Sequence, residues 1–99
     1  MTSDGNPYAR FRRALVTQNL AIIQAAATEL PQIALDDALE ILWLMAHKRD
    51  PRFERAAVRW LGRLLLETPT SLRDARFALV LVERLPDGKE ALHRLARRR

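Results

Sequence analysis

Residues 35–50, LDDALEILWLMAHKRD, and residues 72–87, LRDARFALVLVERLPD, read alike at an offset of 37 positions. Leu35, Asp37, Ala38, Leu42, Leu44 and Asp50 recur as Leu72, Asp74, Ala75, Leu79, Leu81 and Asp87. Each stretch spaces its apolar residues three and four apart, as a helix with a buried face does. Each ends in a short turn and an Asp able to cap a following helix. A period of this size points to stacked helix pairs, in which each unit buries its apolar face only against a neighbour. The expectation is an all-α fold of five to six antiparallel helices, stacked as hairpins into a helical-repeat-like bundle.

Working outward, helix starts are legible along the whole chain. Asn6-Pro7 is a cap followed by Pro at the first helical position, and it opens helix 1 over about 7–17. Asn19 caps helix 2, about 20–30, which Pro31 ends. Helix 3 covers about 35–48, with Asp36, Asp37 and Glu40 early, where the helix dipole favours negative charge. Asp50-Pro51 opens helix 4, about 51–67. Ser71 with Asp74, and Asp87 with Glu90, read as capping boxes for helix 5 (about 72–85) and helix 6 (about 88–98). Residues 1–6 are expected to be a disordered tail and 7–99 a single helical domain. Helix 3 carries apolar residues on most sides and is the expected centre. Helix 5, with Leu72, Phe77, Leu79, Val80, Leu81 and Val82, is expected to resemble it. Two such helices leave surplus apolar surface for a partner or a second copy, with Leu44, Phe77 and Leu81 as candidate interface residues; both could equally be ordinary core helices.

The 99 residues suffice for one domain and contain no cysteine, which removes disulfide and thiolate chemistry. Met1 to Asn6 lacks the apolar run of a signal peptide, and no window of about eighteen residues is uncharged and apolar. A cytoplasmic protein without a membrane span is expected. Net charge is +5 and uneven. Residues 1–47 hold three Arg against five acids, whereas residues 48–99 hold fourteen Lys and Arg against seven acids. A basic half suggests an anionic partner, either nucleic acid or an acidic protein. Fifteen of the seventeen cations are Arg, a bias that a GC-rich genome also produces without selection for binding.

Arg52, Arg55, Arg59 and Arg63 on helix 4 fall within roughly 80° of one another on the helical wheel. Lys48 and Arg49 extend that stripe across the preceding turn, and Arg94, Arg97, Arg98 and Arg99 form a second cluster. Aligned guanidinium groups can follow a phosphate backbone with bidentate hydrogen bonds. The competing readings are a solvated face and, at the C-terminus, compensation of the helix dipole. A helix-turn-helix with helix 4 as reader is disfavoured by that helix's length and by a turn without Gly.

No catalytic motif is present. His47 and His93 are the only histidines, and neither has a companion at metal-ligand spacing. Asp36, Asp37 and Glu40 could hold a metal or act as an acid–base pair, but dipole compensation explains them more simply. The glycines are isolated, so no phosphate loop exists, and no cofactor or small-molecule substrate is expected. Trp43 and Trp60 read as core or interface anchors.

The stretches NPYARFRRAL, NLAIIQAAATELPQIALDDALEIL and RDPRFERAAVRWLGRLLLE, within residues 6–67, resemble a group of short all-helical proteins of GC-rich bacteria to which no activity is attached. The resemblance implies a cytoplasmic helical protein and transfers no functional residue. In layout alone the chain is also similar to HEAT- and TPR-type hairpin stacks, without the strict TPR signature.

Overall fold

A computed structural model describes residues 6–98. Among the described residues the chain is all-α, with six helices and no strand. They are α1 (Pro7–Thr17), α2 (Leu20–Ala27), α3 (Leu35–His47), α4 (Phe53–Glu67), α5 (Leu72–Glu83) and α6 (Lys89–Ala96). Most of the expected tail, residues 1–5, and Arg99 lie outside the described residues. Packing groups the helices into two compact units, one through Ala34 and one from Leu35 onward, where the sequence reads as one domain.

In the first unit α1 packs on α2. The Asn6 side chain accepts the Tyr8 and Ala9 N–H groups, and the Asn19 side chain accepts that of Ile22, so both asparagines satisfy donors that a helix start leaves open. Gln18 between the helices adopts a left-handed backbone. Phe11, Ala14 and Ile23 are buried. α2 stops at Ala27 rather than near 30, because Glu29 and Leu30 tighten into three-residue turns ahead of Pro31. An Arg10–Glu29 ion pair ties that turn back to α1.

In the second unit consecutive helices pack on one another, and α3 also packs on α6. The core is Leu35, Leu39 and Leu42 of α3, Ala57, Trp60 and Leu64 of α4, Ala78, Leu81 and Val82 of α5, and Leu92 and Leu95 of α6. Trp60 is buried there and donates its indole N–H to the Leu35 carbonyl at 3.0 Å.

α3 ends in a Schellman turn. The Asp50 N–H reaches the Met45 carbonyl and the Arg49 N–H reaches Ala46, with Arg49 in the left-handed region at φ 54°. The next helix starts two residues later than its Pro suggests. Asp50 accepts the Arg52 N–H at 2.8 Å, closing a local turn through Pro51, and α4 begins at Phe53. Ser71 caps α5 as expected, accepting the Asp74 N–H at 3.0 Å. Asp87 does not cap α6. That position belongs to Gly88, at φ 84°, and no side chain bonds the first turn.

The repeated sequence does not produce repeated burial. Leu35 is 7% exposed and its counterpart Leu72 is 87% exposed; Leu42 and Leu79 stand at 2% and 49%. α3 buries Leu44 and Met45 on a further side, while α5 buries only the face of Ala78, Leu81 and Val82. The expectation that helix 5 resembles helix 3 is therefore corrected.

Candidate functional site

The densest polar cluster joins the start of α3 to α6. Asp36 and Glu40 lie one turn apart on α3, and Lys89 and His93 lie one turn apart on α6, with Arg97 capping its end. His93 is buried. Its Nδ1 lies 2.8 Å from Asp36 and its Nε2 2.6 Å from Glu40. At least one ring nitrogen carries a proton and donates to the carboxylate it faces. Arg97 donates to the second Asp36 oxygen at 3.0 Å, and Lys89 donates to Glu40 at 3.2 Å. Burial pushes the Asp36 carboxyl up, but the hydrogen bonds and charges of His93 and Arg97 outweigh it and hold the group below its ordinary range.

The cluster continues toward the other end of α3. The Lys89 ammonium stands 4.5 Å from the Trp43 ring centroid, Trp43 donates to the Pro86 carbonyl at 3.1 Å, and His47 stacks on Trp43. This network clamps α6 onto α3. Its histidine is enclosed and its hydrogen-bonding capacity is spent. Among the described residues no group of His, Asp or Glu has an arrangement able to hold a metal ion.

Sequence reasoning missed this cluster because its partners lie 49 to 61 positions apart. The signal was present as acids at 36 and 40 facing cations at 89, 93 and 97, all at intervals of four. It becomes readable only once α3 and α6 are known to pack.

The cations expected to bind phosphate divide into two sets. Four are engaged internally. Arg52 grips Asp50 through Nε and Nη2, Arg63 pairs with Glu67 along the same helix, Arg97 pairs with Asp36, and Arg98 pairs with Asp74. Arg52 holds the Asp50 carboxyl down to about 2 through its side-chain and backbone hydrogen bonds. The C-terminal cluster is therefore mostly a tie between helices, and only Arg94 of its described members points to solvent without an ion pair.

The other set is exposed and makes no ion pair among the described residues. It comprises Lys48 and Arg49 in the α3–α4 turn, Arg55 and Arg59 on α4, and Arg94 on α6. Arg55 and Arg59 stand one turn apart, opposite the buried Ala57, Trp60 and Leu64. Arg73 and Arg76 on α5 and Arg84 just after it, outside the expected site, share the same condition.

Of the candidate interface residues, Leu44 and Leu81 are buried within the chain and present no surface to a partner. Only Phe77 is exposed, and Leu72, Leu79 and Val80 accompany it on the solvent side of α5. No helix among the described residues is long and apolar enough to cross a membrane. No protein family, curated protein or solved structure matches the chain, so the site rests on its own residues.

Proposed function

We propose that the chain is a non-enzymatic helical binding module whose basic face contacts nucleic-acid phosphates. The observation that carries this reading is the pair Arg55 and Arg59, exposed one turn apart on α4 with no carboxylate partner among the described residues. Like charges at that spacing repel by a few tenths of a kcal/mol, a cost that a bound phosphate removes. Lys48 and Arg49 extend the contact across the turn. Arg52 and Arg63 contribute less, since each must first release a carboxylate. Catalysis has no support from His93, which is buried between its partners. We read the module as cytoplasmic, in keeping with a cysteine-free chain.

Four phosphate contacts give a log affinity against log salt slope of about −3 to −4 on duplex DNA. Fluorescence anisotropy with labelled duplex DNA and RNA at rising salt measures it. Reversing both Arg55 and Arg59 to Glu is expected to weaken binding at least ~10-fold, because two attractions become repulsions. An unchanged circular dichroism spectrum is expected, since both side chains are exposed. No binding of either duplex at low salt overturns the reading.

A second reading, a protein-binding surface, is favoured by one observation. Four large apolar side chains remain exposed on α5 alone.

A further inference from the structure

The solvent side of α5 is a mosaic. Leu72, Arg73, Arg76, Phe77 and Val80 line an open groove of about 450 Å³, and Leu79 is exposed elsewhere on the same helix. The groove's apolar side chains, from Leu72 to Val80, span nine residues, or about 12 Å of helix. The arginines are exposed and make no ion pair among the described residues.

We propose that this face docks an amphipathic helix of a partner protein, one that carries carboxylates between its apolar anchors. The proposal rests on the protein-binding reading above and names the occupant. Two helical turns of exposed apolar surface suit apolar anchors at positions i, i+3 or i+4, and i+7 of an incoming helix. The charge specifies that helix further. Arg73 and Arg76 sit among the apolar side chains, so whatever covers Leu72 and Phe77 must also neutralise guanidinium groups at the same depth.

Three other occupants fit less well. A duplex backbone would press phosphates onto Leu72, Phe77 and Val80. A bilayer would draw Arg73 and Arg76 toward hydrocarbon, whereas helices that lie in a membrane interface keep their charges on the opposite face. A second copy would bring its own Arg73, Arg76 and Arg84 against these, with Glu83 as the exposed carboxylate on each α5.

A display library of helical peptides tests the proposal. Its apolar anchors are fixed and its remaining positions vary among Glu, Lys and Ser. Selection on the full chain is expected to enrich Glu at the positions between anchors. The selected peptide, measured by fluorescence anisotropy, is expected to bind at least ~10-fold more weakly to Arg76→Glu and to Phe77→Asp, as the loss of a hot-spot contact does. Leu72→Asp is expected to act alike, and with Leu72 nearly fully exposed that change leaves the core intact. A Lys version of the peptide is expected to recover binding to the Arg76→Glu chain.

Enrichment of Lys or Ser, or self-association abolished by Phe77→Asp, overturns the acidic occupant while the protein-binding reading stands. Phe77-dependent capture on anionic lipid vesicles, without peptide binding, overturns both. So does a selection that enriches no peptide over a Leu72→Asp control chain.

Discussion

His93 Nε2 on α6 lies within hydrogen-bond reach of Glu40 Oε2 on α3, 2.6 Å away, joining residues 53 positions apart, while the opposite nitrogen of the same ring lies 2.8 Å from Asp36 Oδ1. One enclosed imidazole thus bridges two carboxylates that would otherwise repel across a helical turn. The contact decides where α6 lies on α3, and α6 in turn contributes Leu92 and Leu95 to the core.

Replacing His93 with Ala removes one partner from each carboxylate, leaving Asp36 to Arg97 and Glu40 to Lys89, and leaves a void beside them. The expected loss is about 2 kcal/mol, kept below that of a fully buried pair because Asp36 and Glu40 each retain about a third of their exposure. Arg94→Ala, one residue along and exposed, is expected to change stability by less than about 0.5 kcal/mol. Urea unfolding of the two variants checks the difference. Equal stability would remove the clamp.

Acid should weaken the fold through Asp36 and Asp50. Both carboxyls titrate below their ordinary value of 3.8 in the folded chain, Asp50 at about 2. Groups depressed on folding contribute fully above that ordinary value, and the contribution is lost as pH falls through the folded one. The melting temperature is therefore expected to drop between pH 4 and pH 2. Asp36→Asn is expected to be less stable than the parent at pH 7 and to lose less over the same interval. A melting temperature that rises toward pH 2 contradicts this.

Gly88 holds a position that other residues cannot take cheaply. Its φ is 84°, and an added Cβ would lie 3.1 Å from Leu81 Cδ2. Gly88→Ala is expected to destabilise by about 1–2 kcal/mol, from left-handed backbone strain and the push on a core leucine. Gly62, where an added Cβ would meet nothing within 4 Å and which sits inside α4, serves as the contrast. Gly62→Ala is expected to stabilise by up to about 1 kcal/mol through helix propensity. Thermal unfolding of both variants checks the opposite signs.

Arg49 occupies the left-handed position of the α3 C-terminal turn, where Gly is the usual residue. Arg49→Gly is expected to raise stability by about 0.5–1 kcal/mol by relieving that strain. On the nucleic-acid reading the same change also weakens binding and flattens the salt slope by about one contact. A variant that is more stable yet binds duplex equally well would remove Arg49 from the interface.

Helix starts were readable from the sequence wherever the capping side chain acts on its own neighbours. Asn6, Asn19 and Ser71 each bond backbone groups two or three residues away, and each opens a helix where the spacing predicts. Asp87 looked equivalent and failed, because the backbone around Gly88 positions the start of α6. Asp50 kept its turn but used its carboxylate on Arg52, which delayed α4 to Phe53.

The amino-acid order alone determined that this chain is helical, where most helices begin, and that α3 is apolar on nearly every side, because all three follow from interactions within a few residues. The tertiary packing decided that Arg97 and Arg98 are spent on Asp36 and Asp74, that His93 lies between Asp36 and Glu40, and that Leu72 and Leu79 face water while Leu35 and Leu42 do not. Those outcomes depend on which helix lies beside which, and the matching positions of α3 and α5 carry no information about their neighbours.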